Sequence, residues 1–162
     1  MNTHKIFNEE NYSDREISEM RKRHAVRSII INKNKEIALI YYGRDAYYSL
    51  PGGGVHGQED FTEACIRESR EETGCVVRVE KEVGETYEIR GRSNVINITK
   101  CFVCGVVDQK EPILQPDEEE KEMSVIWCTQ EKAQELILKN YASQDLYDIY
   151  CQQRDFLFLQ NI

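Results

Sequence analysis

The stretch Leu50–Cys75, LPGGGVHGQEDFTEACIRESREETGC, decides the reading of this chain. Three consecutive glycines, Gly52–Gly54, interrupt the extended run before them and let the backbone approach another group closely. Asp60 then stands as a helix N-cap with Glu63 three residues on, and Gly74 sits where a helix would end. The pattern predicts one helix from Asp60 to about Thr73. On that helix, at about 100° per residue, Glu68, Glu71 and Glu72 share roughly a third of the circumference. Like charges so spaced oppose the helix by about 0.2–0.5 kcal/mol for each close pair. A hard divalent cation, Mg²⁺ or Mn²⁺, relieves the repulsion because it prefers carboxylate and water oxygens. Arg67, four residues before Glu71, can pair with it and leave the other carboxylates for metal, while a carbonyl of the glycine run can add an oxygen. The plain alternative is a solvated acidic helix face, and three glutamates alone do not exclude it.

Working outward, two β-rich runs precede the glycines, Ala25–Asn32 and Glu36–Tyr42, joined by the polar turn Lys33–Lys35 and read as a hairpin. A short extended piece, Tyr47–Leu50, enters the glycine run. Upstream of all these, Ser13 with Glu16 makes a capping box for a short helix over Ser13–Arg23, within an N-terminal extension of residues 1–23. Downstream, Val76–Arg90 and Val95–Val107 read as strands around a turn at Gly91–Asn94, and Met123–Cys128 as a further strand. Thr129–Lys139 and Ser143–Gln160 read as helices, each opened by a hydroxyl, the last apolar enough for core packing or a dimer contact. Strands and helices alternate without a regular βαβ period. The expected fold is therefore α/β (α+β), one domain of residues 1–162 with a mixed sheet sandwiched between helices.

Composition bounds the partners. The chain has 162 residues, 29 acidic against 21 basic, and a formal charge of −8. Such a balance argues against a binder of long nucleic acid, which neutralises phosphates with Lys and Arg. It does not exclude a small anion bridged by a cation. The N-terminal residues MNTHKIFNEENYSDREISEMRKR hold no signal-peptide pattern, and no apolar run approaches the ~20 residues of a membrane span. A cytoplasmic protein without a membrane partner, monomeric or homodimeric, is expected. Cys101 and Cys104 form a CxxC, but no second Cys or Cys/His pair completes a zinc site. Residues three apart on a strand point to opposite faces, so buried structural thiols are expected there.

The central stretch resembles the signature of the Nudix hydrolase family: Gly, five residues, Glu, seven residues, then Arg-Glu-U-x-Glu-Glu-x-Gly-U, with U a bulky aliphatic residue. Gly53, Glu59, Arg67, Glu68, Glu71, Glu72 and Gly74 fill all seven fixed letters at the family's spacing. A chance match is on the order of one in a million, so the frame is specific. Leu50-Pro51-Gly52 and Ala64 also match the family's usual run, and the general layout extends the likeness from about Ala25 to Lys139. Ser69 and Cys75 occupy the aliphatic slots. Ser69 would forgo about 1–2 kcal/mol of apolar contact if that slot is buried.

The resemblance implies a Nudix fold and hydrolysis of a nucleoside diphosphate linked to another moiety, by water attacking phosphorus with Mg²⁺ or Mn²⁺. Position by position, it implies Glu68, Glu71 and Glu72 as metal ligands, the Gly52 carbonyl as a further one, and Arg67 orienting the glutamates. Glu59 is assigned to supporting the loop and helix or an outer metal shell rather than to the chemistry. In this family the general base is a glutamate of the signature or a downstream carboxylate. Glu118, Glu119, Glu120 and Glu122 are the candidates of the acidic run, with Glu120 the choice among them. Arg44 and Arg90 are candidates for phosphate contacts, and Tyr47 and Tyr48 for base stacking; the plain reading of each is an exposed arginine or a strand tyrosine with no ligand. A ligand-binding Nudix-fold sensor or scaffold is the competing reading, but such modules usually show damage among the metal-binding glutamates. An isomerase variant of the fold would need more metal-ligating histidines than His4, His24 and His56 offer.

Overall fold

The computed structural model describes residues 3–139 and 145–162. Strand β1 (Thr3–Phe7) and helix α1 (Asp14–Glu19) lead into β2 (Arg21–Ile31), β3 (Ile37–Tyr42) and β4 (Tyr47–Ser49). Helix α2 (Phe61–Thr73) follows, then β5 (Cys75–Arg90), β6 (Val95–Gln109), the short α3 (Pro116–Glu120) and β7 (Met123–Cys128). Helices α4 (Gln130–Lys139) and α5 (Leu146–Leu159) close the chain. The strands form one mixed sheet in the order β1-β5-β6-β2-β3-β4, with β7 also paired to β3.

Strand β1 and helix α3 have no counterpart in the sequence expectation, and further features differ from it. Helix α1 keeps its Ser13–Glu16 capping box but stops at Glu19, because Arg21 already begins β2. Arg21–Ile31 pairs in parallel with Val95–Gly105 of β6, a non-local contact that overrides helical periodicity at Arg21–Arg23. The expected hairpin is also reduced: β2 and β3 share only the Ile31–Ile37 pair beside the Lys33–Lys35 turn, and β3 pairs over its whole length with β7. Ser143, expected to open the last helix, lies outside the described residues; Asp145 caps α5 by accepting the N–H of Tyr147.

The sheet has a core on each face. On one, α2 lays Ala64 and Cys65 against Val26, Ile30, Val77, Phe102 and Cys104. On the other, Ala133 and Ile137 of α4 and Phe158 and Leu159 of α5 pack on Ile29, Leu39, Val83, Cys101 and Val103. Cys101 and Cys104 thus stand on opposite faces, both buried, and all six cysteines are free thiols. Ser69 is fully buried in its aliphatic slot. Its Oγ donates to Cys65 O at 2.7 Å and pairs with the Ser28 hydroxyl at 3.0 Å, so a serine on β2 supplies the polar partner the slot needs. Among the described residues, no helix is long and apolar enough to cross a membrane.

The glycine run is held by the sheet. Backbone N–H groups of Val26 and Ser28 donate to Gly53 O and Pro51 O, both at 2.9 Å, and Val55 N–H donates to His24 O. Between these contacts Gly52 adopts φ +140°, and a Cβ there would sit 2.2 Å from Val26 O, so only glycine fits.

Candidate active site

Helix α2 starts at Asp60, whose capping box with Glu63 is complete, and ends at Gly74, a left-handed C-cap at φ +73°. These two ends fix the rotation of the helix. Its buried side carries Ala64, Glu68 and Glu72 in one stripe of spacing four, so two carboxylates continue an apolar row and face the glycine run.

Arg67 organises the surroundings with all five of its N–H donors. Nε and Nη2 hold Glu59 in a fork, at 3.0 and 2.7 Å. Nη1 reaches Glu68 Oε1 at 2.8 Å and Glu71 Oε2 at 3.1 Å, and Nη2 also donates to Gly54 O at 2.8 Å. Glu59 in turn accepts the N–H of His56 at 2.6 Å. The loop between Gly54 and Glu59 is thereby tied to the helix by one guanidinium. The hydrogen bonds from Arg67, followed by His56, hold the Glu59 carboxyl down at about 2.

Glu72 differs. Burial pushes its carboxyl up to about 8, although the Gly52 N–H at 2.7 Å and the charge of Arg27 favour the ionised form; Glu68 and Glu118 push it further up. These groups line a cleft of about 580 Å³ that carries charge of both signs. Glu68, Glu71, Glu72, Asp117 and Glu118 bring negative charge, while Arg23, Arg27 and Lys121 bring positive charge. Tyr42, stacked on Tyr47 at 4.3 Å, also lines it.

The family model described as the NUDIX domain matches residues 21–151. The chain belongs to the Nudix family. Sequence comparison with curated proteins finds no match. Solved structures share its fold. The MutT protein of Methanosarcina mazei Go1 is 22% identical, with 85% of this chain and 95% of that chain covered and a TM-score of 0.56. The E. coli ORF135 protein is 21% identical, covers 88% of this chain and 94% of its own, and has a TM-score of 0.55. A MutT NUDIX hydrolase from Burkholderia pseudomallei is 16% identical, with coverage of 88% and 98% and a TM-score of 0.59. Family membership makes this a hydrolase of the kind that acts on diphosphate-linked nucleosides.

Not every residue expected in the Nudix site lies there. Glu68, Arg67, Glu71, Glu72 and Gly52 come together in the cleft. Glu120 does not: it is exposed on α3, about 200° around the helix from Glu118, which lines the cleft with Asp117. Arg44 is an exposed residue paired with Asp45 at 3.3 Å, apart from the cleft. Tyr48 lies tilted against Tyr41, ring centroids 4.8 Å apart, and packs against the core of the α4/α5 face. Arg90 is held by the buried Glu88 and by Cys151 Sγ at 3.4 Å, within a structural ion network. The sequence reading missed Arg23, Arg27 and Tyr42. The basic run RKRH at 21–24 was the available signal, obscured by assigning its first three residues to a helix.

Among the described residues, no three His, Cys, Asp or Glu side chains are gathered as a ready-made metal cluster. Arg67 occupies one oxygen each of Glu68 and Glu71, and Gly52 N–H occupies one of Glu72. The donor set nevertheless suits a hard cation. It consists of carboxylate oxygens gathered on one helix, beside a loop whose flanking carbonyls, Pro51 and Gly53, are the ones β2 uses.

Proposed function

We propose that this chain cleaves the diphosphate linkage of a small nucleoside diphosphate derivative, with Mg²⁺ or Mn²⁺ held by Glu68, Glu71 and Glu72 and by the Gly52 carbonyl. The observation that carries the reading is the five-donor fan of Arg67, which fixes Glu59, Glu68, Glu71 and Gly54 beside a cleft that Arg23, Arg27 and Lys121 also line. Bound metal would neutralise charge on the diphosphate oxygens and favour attack by water. The protein's own part is positional. Arg67 sets the carboxylates, Gly52 N–H sets Glu72, and Arg23 and Arg27, which line the same cleft, supply positive charge for the phosphates.

For the group that takes the proton from water, the cleft favours Glu118 over Glu120, because Glu118 is the member of the two that lines it. A cytoplasmic site of action belongs to the same reading, supported by six unpaired thiols, which reducing compartments maintain. The test is chromatographic detection of the phosphorylated products from a panel of nucleoside triphosphates, nucleotide sugars, ADP-ribose, dinucleoside polyphosphates and coenzyme A, each with Mg²⁺ and then with excess chelator. Metal-dependent hydrolysis of at least one compound is expected. Binding without turnover across the panel would instead favour a sensor.

A further inference from the structure

The cleft does not end at the glutamates. Past Gly54 and His56 it opens into a second groove of about 460 Å³. Arg21, Lys22, Arg23 and His24, at the start of β2, line it together with His56. The groove contains three fixed cations and two imidazoles. Its one carboxylate, Glu59, is already held in a fork by Arg67. In a chain of net charge −8 this concentration of positive charge is local and unusual.

These cations differ from the others near the cleft. Arg27, Arg67, Arg90 and Arg154 each have a carboxylate partner. Among the described residues, Arg21, Lys22 and Arg23 are in no ion pair, and the Arg23 guanidinium donates to a neutral acceptor, Asn97 Oδ1, at 2.8 Å. Partial burial and the like charges of Arg27, Arg90 and Arg154 press the Arg23 pKa below its ordinary value. Arg21, Lys22 and His24 are exposed and Arg23 is partly covered, so solvent or a ligand can reach the run. They are also fixed in place: the backbone of Arg21–His24 is held in parallel register with Val95–Ile98, and Arg21 N–H donates to Asn94 O at 3.1 Å. A rigid strand presenting unpaired cations is arranged to receive an anion, since charge-assisted hydrogen bonds form there without first ordering a loop.

We propose that this groove binds a phosphate group lying beyond the diphosphate that is cleaved, so that the substrate is a nucleotide carrying at least three linked phosphates. The inference rests on the hydrolase reading above and narrows it. Arg23 belongs to both spaces and joins them, and Arg21 and Lys22 take the additional phosphate. A derivative whose second moiety is an uncharged sugar leaves these cations without a partner.

The test separates binding from turnover. In the presence of chelator and at fixed ionic strength, the full chain is titrated calorimetrically with inorganic tripolyphosphate and with pyrophosphate. Tripolyphosphate is expected to bind more tightly, and the double variant Arg21→Gln/Lys22→Gln to weaken it at least tenfold. The charge-matched control Lys33→Gln/Lys35→Gln, at the turn on the far end of β2, is expected to change it less than twofold. Lys22→Gln alone provides a milder variant if the double one folds poorly. Equal losses in the two double variants would mean general charge attraction and overturn the proposal, as would no preference for tripolyphosphate in the wild type. In the kinetic arm, Arg21→Gln/Lys22→Gln raises KM for a nucleoside triphosphate at least tenfold and for a nucleotide sugar less than threefold. If no compound is turned over, the hydrolase reading fails on its own, and the titration still decides whether the groove takes the phosphate.

Discussion

The carboxylate of Asp155 on α5 accepts the backbone N–H of Leu50, 3.0 Å away, at the point where the chain enters the glycine run. The same side chain accepts from Arg154 Nε at 2.8 Å and stands 3.8 Å from Arg27 Nε. The C-terminal helix therefore does more than cover the sheet: one buried carboxylate ties it both to the glycine loop and to a cation of the cleft.

Replacing Asp155 by alanine should cost about 3–5 kcal/mol, because it leaves the buried Arg154 and the largely buried Arg27 short of negative charge and orphans the Leu50 N–H. Urea unfolding would measure this as a lower midpoint at unchanged slope. A loss under about 1 kcal/mol would show that Glu88, which accepts from Arg154 Nη1 at 2.8 Å, suffices by itself.

Glu68→Gln or Glu72→Gln should lower turnover at least about a hundredfold, since lost metal-assisted charge stabilisation is worth several kcal/mol. Both side chains are buried, and the amide is nearly isosteric, so the fold should persist. Steady-state kinetics beside a thermal melt would separate the two effects. Near-normal turnover by either variant would remove that carboxylate from the mechanism.

Much of this arrangement was legible from the chain because it is local. The capping box at Asp60, the stop at Gly74 and the spacing of Glu68, Glu71 and Glu72 all lie within one helix and its loop. What was not legible depends on distant partners. Strand β1 exists as a parallel neighbour of β5 about eighty residues away, and β2 starts at Arg21 because β6 is there to pair with it. No turn residue announces such pairings. Ser69 looked like a packing defect until Ser28 was placed beside it. Glu120 and Glu118 could not be told apart because a five-residue helix carries too little pattern to fix its facing. Arg44 and Arg90 had the right charge, but Asp45 and Glu88 already claim them.

Glu59 should make the protein acid-sensitive in a defined window. Its carboxyl titrates at about 2 in the folded chain, below the ~4.3 of an unfolded glutamate. A depressed carboxyl stabilises the fold above the unfolded value and loses that contribution as pH falls through the folded one. Wild-type stability should therefore carry a component that fades from about pH 5 down to about pH 2. Denaturant midpoints across that range should fall less steeply in Glu59→Gln than in the wild type. Parallel profiles would mean that the Arg67 fork makes no difference to stability.

The acidic run offers a direct comparison of two carboxylates on one short helix. Glu118 lines the cleft, and burial together with Asp117, Glu68 and Glu71 raises its pKa, whereas Glu120 is exposed. Glu118 also closes the capping box of α3 by accepting Gln115 N–H at 2.6 Å, a contact the amide oxygen of glutamine can still make. Glu118→Gln should thus keep α3 in place while removing a proton acceptor, lowering kcat by about ten- to a thousandfold with KM changed far less. Glu120→Gln, which alters the net charge by the same amount, should shift kcat by less than about twofold, within the range of surface substitutions. Matched kcat values for the two variants would place the base elsewhere, and a large loss only in Glu120→Gln would mean that α3 turns over when substrate enters.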